Sequence, residues 1–394
     1  KERWPALAMG AAAYTPTGAD PAGEVALICP STLASAISSD DPPLVLEATV
    51  GCAASGAPSC FVPGAVLFDL AAVDVYEEDA TGSPLPLPGN YNLRPPAALR
   101  AALERHGVRA RRRCVVYTQC RRHTTAAREA QERGHHHRYR PAASREGVAD
   151  PIVAARLVWC LAYAGVERVA LLDGGMSLWL DGGFPVAGEP SPAAPVADFF
   201  DGRGGAFPRR PEYRASVEEV AAAVAASGGG GGGGGGLRIG DVRAPCEFAG
   251  EGHDYAYAMP HGRIPGALPA RWGPSTFVGS EYYAPRTGVL RPLRELAASW
   301  RQAGLLQRGS RRAGEAEGAV SEEAAGETAR LLLYCGSGWR SSLAWLVARL
   351  LGHPSASSFD GGLLEWALDP ARPLEAGDAA RPRAVPRPAL PPRP

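Results

Sequence analysis

The chain lacks a charge bias: 41 Lys and Arg residues balance 41 Asp and Glu residues, and the formal net charge is zero. Without a cationic excess, nothing in the composition points to nucleic acid or to an anionic membrane surface as a partner. No apolar run is long enough to span a bilayer. Cysteine is scattered, at Cys29, Cys52, Cys60, Cys114, Cys120, Cys160, Cys246 and Cys335, and no Cys-x-x-Cys pair occurs. That distribution argues against a zinc ribbon or a disulfide framework and for a reducing compartment, cytoplasmic or mitochondrial. The tract His135-His136-His137 sits in an Arg-, His- and Gly-rich stretch and reads as a solvated insertion rather than a metal site. Lys1–Gly23 has no clear signal-peptide core, and an opening on Lys1 suggests that the natural start lies upstream, so a targeting peptide stays open.

What is present begins with one cysteine. Leu331-Leu332-Leu333-Tyr334 is an apolar run with strand character, and it delivers Cys335 into the turn Gly336-Ser337-Gly338-Trp339-Arg340-Ser341. The next segment places Leu343, Leu346, Val347, Leu350 and Leu351 at helical spacing. Glycines let such a loop curl so that successive N–H groups point inward as an anion nest. A following helix adds its positive N-terminal end. Both effects favour thiolate over thiol, which predicts a lowered pKa and a nucleophilic Cys335. Arg340 is placed to close the cradle on an anionic substrate, and Ser337 and Ser341 offer hydroxyls. The plainer alternative is a buried structural cysteine at a strand end.

The chain also repeats itself. Leu171-Leu172-Asp173-Gly174-Gly175, with Trp179, Asp181 and Pro185, matches Ser358-Phe359-Asp360-Gly361-Gly362, with Trp366, Asp369 and Pro373. The offset holds from the Asp to the Trp, and one inserted residue accounts for its later change. Pro63-Gly64-Ala65 matches Pro265-Gly266-Ala267, and the strand Leu44–Thr49 loosely matches Arg238–Arg243. Each copy alternates strands with helices, which implies α/β domains with a mostly parallel sheet flanked by helices. The 394 residues suit two such domains with additions. The expected organisation is an N-terminal copy at 24–186, a linker at 187–211, a C-terminal copy at 212–374 and an unstructured Pro- and Arg-rich tail at 375–394. Gly228–Gly236 and Gly309–Thr328 read as surface loops without core potential. Pro388-Ala389-Leu390-Pro391 fits a proline-module ligand, a pattern that Pro-rich tails produce easily.

The duplicated region, about Leu27 to Leu374, resembles the tandem-domain rhodanese family. The resemblance rests on Asp241-Val242-Arg243 with Phe248, on Gly262-Arg263-Ile264-Pro265-Gly266-Ala267 (the family has His where this chain has Arg263), on both Asp-Gly-Gly-x3-Trp segments and on the Cys335 loop. Cysteine phosphatases carry Cys-x5-Arg, whereas Cys335 and Arg340 are one residue closer, so the cradle is smaller than one built for phosphate. The family implies that Cys335 carries a transferable sulfur as a persulfide, with Gly336, Ser337, Gly338, Trp339, Arg340, Ser341 and Arg243 around the substrate. Thr118 stands where the first copy would carry its cysteine, and Cys120 two positions later is followed by Arg121-Arg122-His123, so that copy is expected to be silent.

The implied activity moves a sulfane sulfur from a small-molecule donor to cyanide or a thiol, with no metal and no organic cofactor. Mercaptopyruvate enzymes of the family carry an arginine directly before the Phe248 position. This chain has Glu247 there, which would repel the pyruvyl carboxylate, while Arg340 in the loop suits a dianion. Thiosulfate is therefore the expected donor and 3-mercaptopyruvate the alternative. A rhodanese-fold phosphatase and a non-catalytic sulfur-sensing or scaffold protein are the rival classes. Arg243 has a salt bridge, and Trp339 simple packing, as competing assignments.

Overall fold

The computed structural model describes residues 18–19, 23–50, 60–77, 87, 89–119, 151–226, 237–253, 260–274, 279–285, 287–306, 329–378 and 382–385. Cys120, the histidine tract, the Gly228–Gly236 run, the Gly309–Thr328 segment and the Pro388–Pro391 motif lie outside the described residues. Two sheets carry the fold. The first is six-stranded, built from β1 (Gly18–Ala19), β2 (Val25–Ile28), β3 (Leu44–Thr49), β4 (Val66–Asp69), β5 (Cys114–Tyr117) and β6 (Val169–Leu172), in the order β1-β2-β6-β5-β3-β4. The second is five-stranded, from β7 (Arg214–Ala215), β8 (Leu237–Asp241), β9 (Leu268–Pro269), β10 (Arg330–Tyr334) and β11 (Ala356–Phe359), in the order β7-β11-β10-β8-β9.

Apart from β1, every pairing in both sheets is parallel. The central strands β5 and β10 are short apolar runs, and their apolar side chains are buried on both faces, as a sheet covered on both sides requires. Dropping β1 leaves one strand order shared by the two sheets, so the repeat read from the sequence is a repeat of topology.

The repeat extends to single hydrogen bonds. At the end of β5 the Tyr117 hydroxyl donates to Glu47 at 2.7 Å and accepts from the Val62 N–H. At the end of β10 the Tyr334 hydroxyl donates to Asp241 at 2.7 Å and accepts from the Ile264 N–H. The Trp179 indole donates to the Pro185 carbonyl and the Trp366 indole to the Pro373 carbonyl. Each tyrosine thus ties a buried carboxylate of the neighbouring strand to the Pro-Gly-Ala turn. Burial with that carboxylate pushes both phenols well above their ordinary pKa.

The helices are α1 (Pro30–Ile37), α2 (Pro96–Arg105), α3 (Pro151–Ala164), α4 (Gly175–Asp181), α5 (Val217–Ala226), α6 (Pro245–Ala249), α7 (Leu293–Gln302), α8 (Trp339–Leu350) and α9 (Gly362–Ala367). The spacing in α8 predicts one apolar face, but every residue of α8 is buried, and so is every residue of α3. The reason is that α3 and α8, equivalent helices of the two copies, pack on each other as well as on their own sheets. One continuous core therefore contains Trp159 and Leu157 of the first copy with Trp345 and Leu343 of the second.

Two reciprocal contacts close the junction. Asp360 of the second copy accepts from the Leu93 N–H at 2.8 Å, and Asp173 of the first accepts from the Leu290 N–H at 2.9 Å. The segment read as a linker at 187–211 is anchored at its aromatic residues. Phe199 and Phe200 are buried, and the Phe207 ring meets Phe199 edge-on at 5.4 Å. The expectation of an unstructured tail at 375–394 is corrected for residues 375–378 and 382–385, the rest lying outside the described residues. β12 (Glu375–Ala376) pairs antiparallel with β13 (Arg383–Ala384). Arg263 holds this ribbon by donating to the carbonyls of Gly377 and Asp378.

The two junction aspartates differ in their charge partners. Asp360 meets arginines, whereas Asp173 is 1% exposed with no hydrogen-bond partner for Oδ2 among the described residues. Burial pushes the Asp173 carboxyl up to about 7. A raised native pKa stabilises the fold at low pH and loses that contribution as pH rises through the native value. Asp173→Asn should remove the dependence. In urea titrations the wild-type advantage over the variant should fall by about 2–3 kcal/mol between roughly pH 5 and pH 8. A difference independent of pH would mean that Asp173 is ionised throughout.

Candidate active site at Cys335

β10 ends at Tyr334, and Cys335 follows in the central position of the second sheet, 2% exposed. The loop turns back on itself at Gly338, whose φ of 82° belongs to the left-handed region, and α8 starts at the next residue. A Cβ on Gly338 would collide with the main-chain carbonyl of Asp360. Reciprocally, a Cβ on Gly362, φ 57°, would lie 2.6 Å from the Cys335 carbonyl oxygen. The Leu363 N–H donates to that carbonyl at 2.8 Å, and the Leu364 N–H to the Gly336 carbonyl at 2.9 Å. The Cys335 loop and the Asp360-Gly361-Gly362 turn are thus interlocked, backbone against backbone. In the first copy the Met176 N–H donates to the Thr118 carbonyl at 3.1 Å, so Thr118 occupies the position equivalent to Cys335.

The nest expected from the glycines is present. The main-chain N–H groups of Ser341, Ser337 and Arg340, with the Ser341 hydroxyl, are directed at the Cys335 sulfur. Two of these N–H groups belong to the first turn of α8, which adds the end of the helix dipole. The lowered pKa predicted for Cys335 is nevertheless corrected: burial raises the thiol, and the hydrogen bonds recover only part of that cost. The Ser341 hydroxyl also reaches the Gly338 carbonyl at 2.9 Å and the Ser358 hydroxyl at 2.8 Å. Its proton therefore has both a main-chain and a sulfur acceptor within reach.

Three further expectations change. The Arg340 guanidinium, expected to close on a substrate anion, donates to Glu247 at 2.9 and 3.2 Å, with both side chains buried. Arg340 reaches the sulfur through its main-chain N–H instead. Glu247 in turn accepts from the Ala244 N–H. Burial pushes the Glu247 carboxyl up, but the charges of Arg340 and Arg243 and these hydrogen bonds outweigh it and hold the pKa below the ordinary value. A neutralised Glu247 does not repel a pyruvyl carboxylate, and a committed Arg340 does not select a dianion. The expected preference for thiosulfate over 3-mercaptopyruvate therefore has no support from this ion pair.

Arg243 likewise forms the salt bridge expected as its competing assignment. Its guanidinium forks onto Asp241, with contacts of 2.6 to 3.1 Å, and donates to the Gly262 carbonyl at 2.7 Å. These contacts tie the end of β8 to the turn before Ile264. Trp339 is 1% exposed and meets Tyr76 of the first copy edge-on, with ring centroids 6.1 Å apart, so packing is the geometry observed for it. Gly336, Ser337, Gly338 and Ser341 lie in the nest itself. Among the described residues, no cluster of three or more His, Cys, Asp or Glu side chains is arranged to hold a metal.

Sequence reasoning missed the contribution of Asp360. Its Asp-Gly-Gly turn was legible as a repeat marker, but its interlock with a loop more than twenty residues upstream has no local signal. Glu247 was legible as a departure from a family pattern; its ion pair with Arg340 was not.

A rhodanese-like domain model matches residues 232–369, which contain β8 to β11 and the whole loop. The chain is 30% identical over 232 residues to the thiosulfate sulfurtransferase YnjE of Escherichia coli K12, covering 58% of this chain but 45% of that protein. It is 30% identical over 230 residues to a Mycobacterium tuberculosis H37Rv protein named provisionally as a thiosulfate sulfurtransferase, covering 57% of this chain and 67% of that one. Among solved structures, the anaerobic ergothioneine biosynthesis enzyme of Chlorobium limicola, in complex with trimethyl histidine, aligns with a TM-score of 0.67 at 27% identity. That alignment covers 89% of this chain and 70% of the other. A two-sheet α/β protein with a cysteine nest at the end of a central strand defines the class. The chain belongs to the rhodanese family.

The buried Glu247–Arg340 pair yields a stability test. Glu247→Gln leaves a buried guanidinium without its counter-charge and should cost about 3–5 kcal/mol in chemical denaturation. Adding Arg340→Met should recover much of that loss, because the two effects belong to one interaction. Additive losses would mean that the residues act independently.

Proposed function

We propose that the protein is a sulfurtransferase that carries sulfur on Cys335 and takes it from thiosulfate. The observation that carries this reading is the ring of N–H groups around one sulfur at the head of α8, in a family whose similar members are named for thiosulfate. In this reading the Cys335 thiolate attacks the sulfane sulfur of thiosulfate. A new S–S bond forms, the bond to the sulfonate sulfur breaks, and its electron pair leaves with sulfite. The product is a Cys335 persulfide anion whose terminal charge the nest stabilises. Cyanide or a thiolate then attacks the outer sulfur, the persulfide bond breaks, and the Cys335 thiolate returns. The cycle is a double displacement and should show ping-pong kinetics.

The same reading divides the chain into a non-catalytic copy at 24–186, a linker at 187–211 and a catalytic copy at 212–374. Thiosulfate as donor is supported by the names of similar proteins, and 3-mercaptopyruvate is the alternative. A phosphatase is disfavoured because phosphate cradling calls for the guanidinium that Glu247 engages. A second acceptor class has support of its own: the similarity to the Chlorobium enzyme over most of this chain favours testing trimethyl histidine as a sulfur acceptor.

Incubation with thiosulfate should add one sulfur to the Cys335 peptide, read by mass spectrometry, and Cys335→Ser should abolish both the adduct and turnover. Because burial raises the thiol, the rate of persulfide formation should climb between about pH 7 and 9. Full turnover by Cys335→Ser would refute the assignment, and a flat profile would place the thiol pKa below neutrality.

A further inference from the structure

We propose that Arg156, a residue of the N-terminal copy, is a positioning residue for the Cys335 loop, acting through Asp360. The inference rests on the reading of Cys335 as the sulfur carrier. Asp360 is 1% exposed, and its carboxylate is held at the junction between the copies. Arg156 donates to Asp360 Oδ1 at 2.7 Å, Leu93 of the first copy donates its N–H to Oδ2 at 2.8 Å, and Arg214 approaches Oδ2 at 3.1 Å. The turn that carries this carboxylate interlocks with Gly336, Gly338 and the Cys335 carbonyl through the contacts described above. Displacing Asp360 therefore displaces the loop that aims N–H groups at the sulfur.

Arg156 is built for this task. It is fully buried in α3, and its fork is fixed on Asp74 by bonds of 3.0 and 2.8 Å. The same Nη2 that reaches Asp360 also donates to the Tyr91 carbonyl at 3.1 Å. Tyr91 holds φ at 64°, an unfavourable value for an aromatic residue, in the segment that presents the Leu93 N–H to Asp360. Asp74 also meets the hydroxyl of Tyr76, whose ring packs on Trp339 at the start of α8. The silent copy thus touches the loop twice, by charge at Asp360 and by packing at Trp339. Among the described residues, the mirror junction shows no such device. Asp173 has the equivalent Leu290 N–H but, among the described residues, no arginine, and its copy holds Thr118 in place of a cysteine. The cation lies on the side where the loop has chemistry to perform.

The test compares Arg156→Met, Arg156→Lys and Asp360→Asn with wild type in the full-length chain. Two quantities are read at Cys335: the apparent thiol pKa from iodoacetamide alkylation followed by peptide mass spectrometry, and the rate of thiosulfate-dependent persulfidation. Misaimed N–H groups should raise the apparent pKa by about half a unit to one unit in Arg156→Met and Asp360→Asn. Persulfidation should slow on the order of tenfold to a hundredfold, with Arg156→Lys, which keeps the charge but not the fork, in between. The double variant should be no slower than the worse single one. Asp173→Asn should leave both readouts at wild-type values.

Folded variants, judged by near-ultraviolet circular dichroism, with a wild-type thiol pKa and rate would overturn the proposal. So would additive effects in the double variant. If Arg156→Met does not fold, Asp360→Asn and Arg156→Lys decide by the same readouts. If wild type itself takes no sulfur from thiosulfate, the functional reading fails, while the alkylation profile still decides the role of Arg156.

Discussion

The structure depends on keeping three main-chain N–H groups aimed at one buried sulfur. Those groups belong to Ser337, Arg340 and Ser341. An N–H nest works only while the backbone that forms it is fixed, since each group carries a small partial charge and a short reach. The fold supplies fixation from two directions. The Asp360-Gly361-Gly362 turn presses on the loop from the second copy's own β11–α9 connection. Glu247 grips the Arg340 side chain and so fixes the residue whose N–H faces the sulfur.

Burial opposes the nest at the same atom. Cys335 is almost wholly enclosed, and removal from water favours the neutral thiol more than the hydrogen bonds favour the thiolate. N–H groups fixed in this way contribute most where negative charge develops at the sulfur. That arrangement suits a persulfide, which carries its charge one atom beyond the cysteine sulfur. Every buried cation that organises the site is arginine: Arg156, Arg243, Arg263 and Arg340. Lys1 is the sole lysine in the sequence. The planar fork lets one buried cation serve two or three acceptors at fixed angles, as Arg156 does with Asp74, Asp360 and the Tyr91 carbonyl.

Much of this was legible in the sequence. The strand–loop–helix at Cys335, the α/β class, the duplication and the equivalence of Thr118 with Cys335 follow from local pattern and from a repeat, both of which survive without coordinates. What was not legible is pairing across distance. Glu247 and Arg340 are ninety-three residues apart, and two charges of opposite sign near one site look like separate ligands until they are seen to neutralise each other. The raised Cys335 pKa is hidden for a related reason: glycines and a helix start are visible in a sequence, but the burial that opposes them is a property of the folded chain. The helical periodicity of α8 likewise concealed its second buried face, since a pattern that marks one apolar side does not reveal that a duplicate helix covers the other.

The central claim is that Cys335, in its nest, holds transferred sulfur as a discrete intermediate. A rapid-quench measurement of sulfite release, with thiosulfate present and no acceptor, tests it most directly. The account predicts a burst of one sulfite per chain, followed by no further release until cyanide or a thiol is added. Absence of a burst, or continuous sulfite release without an acceptor, would contradict it.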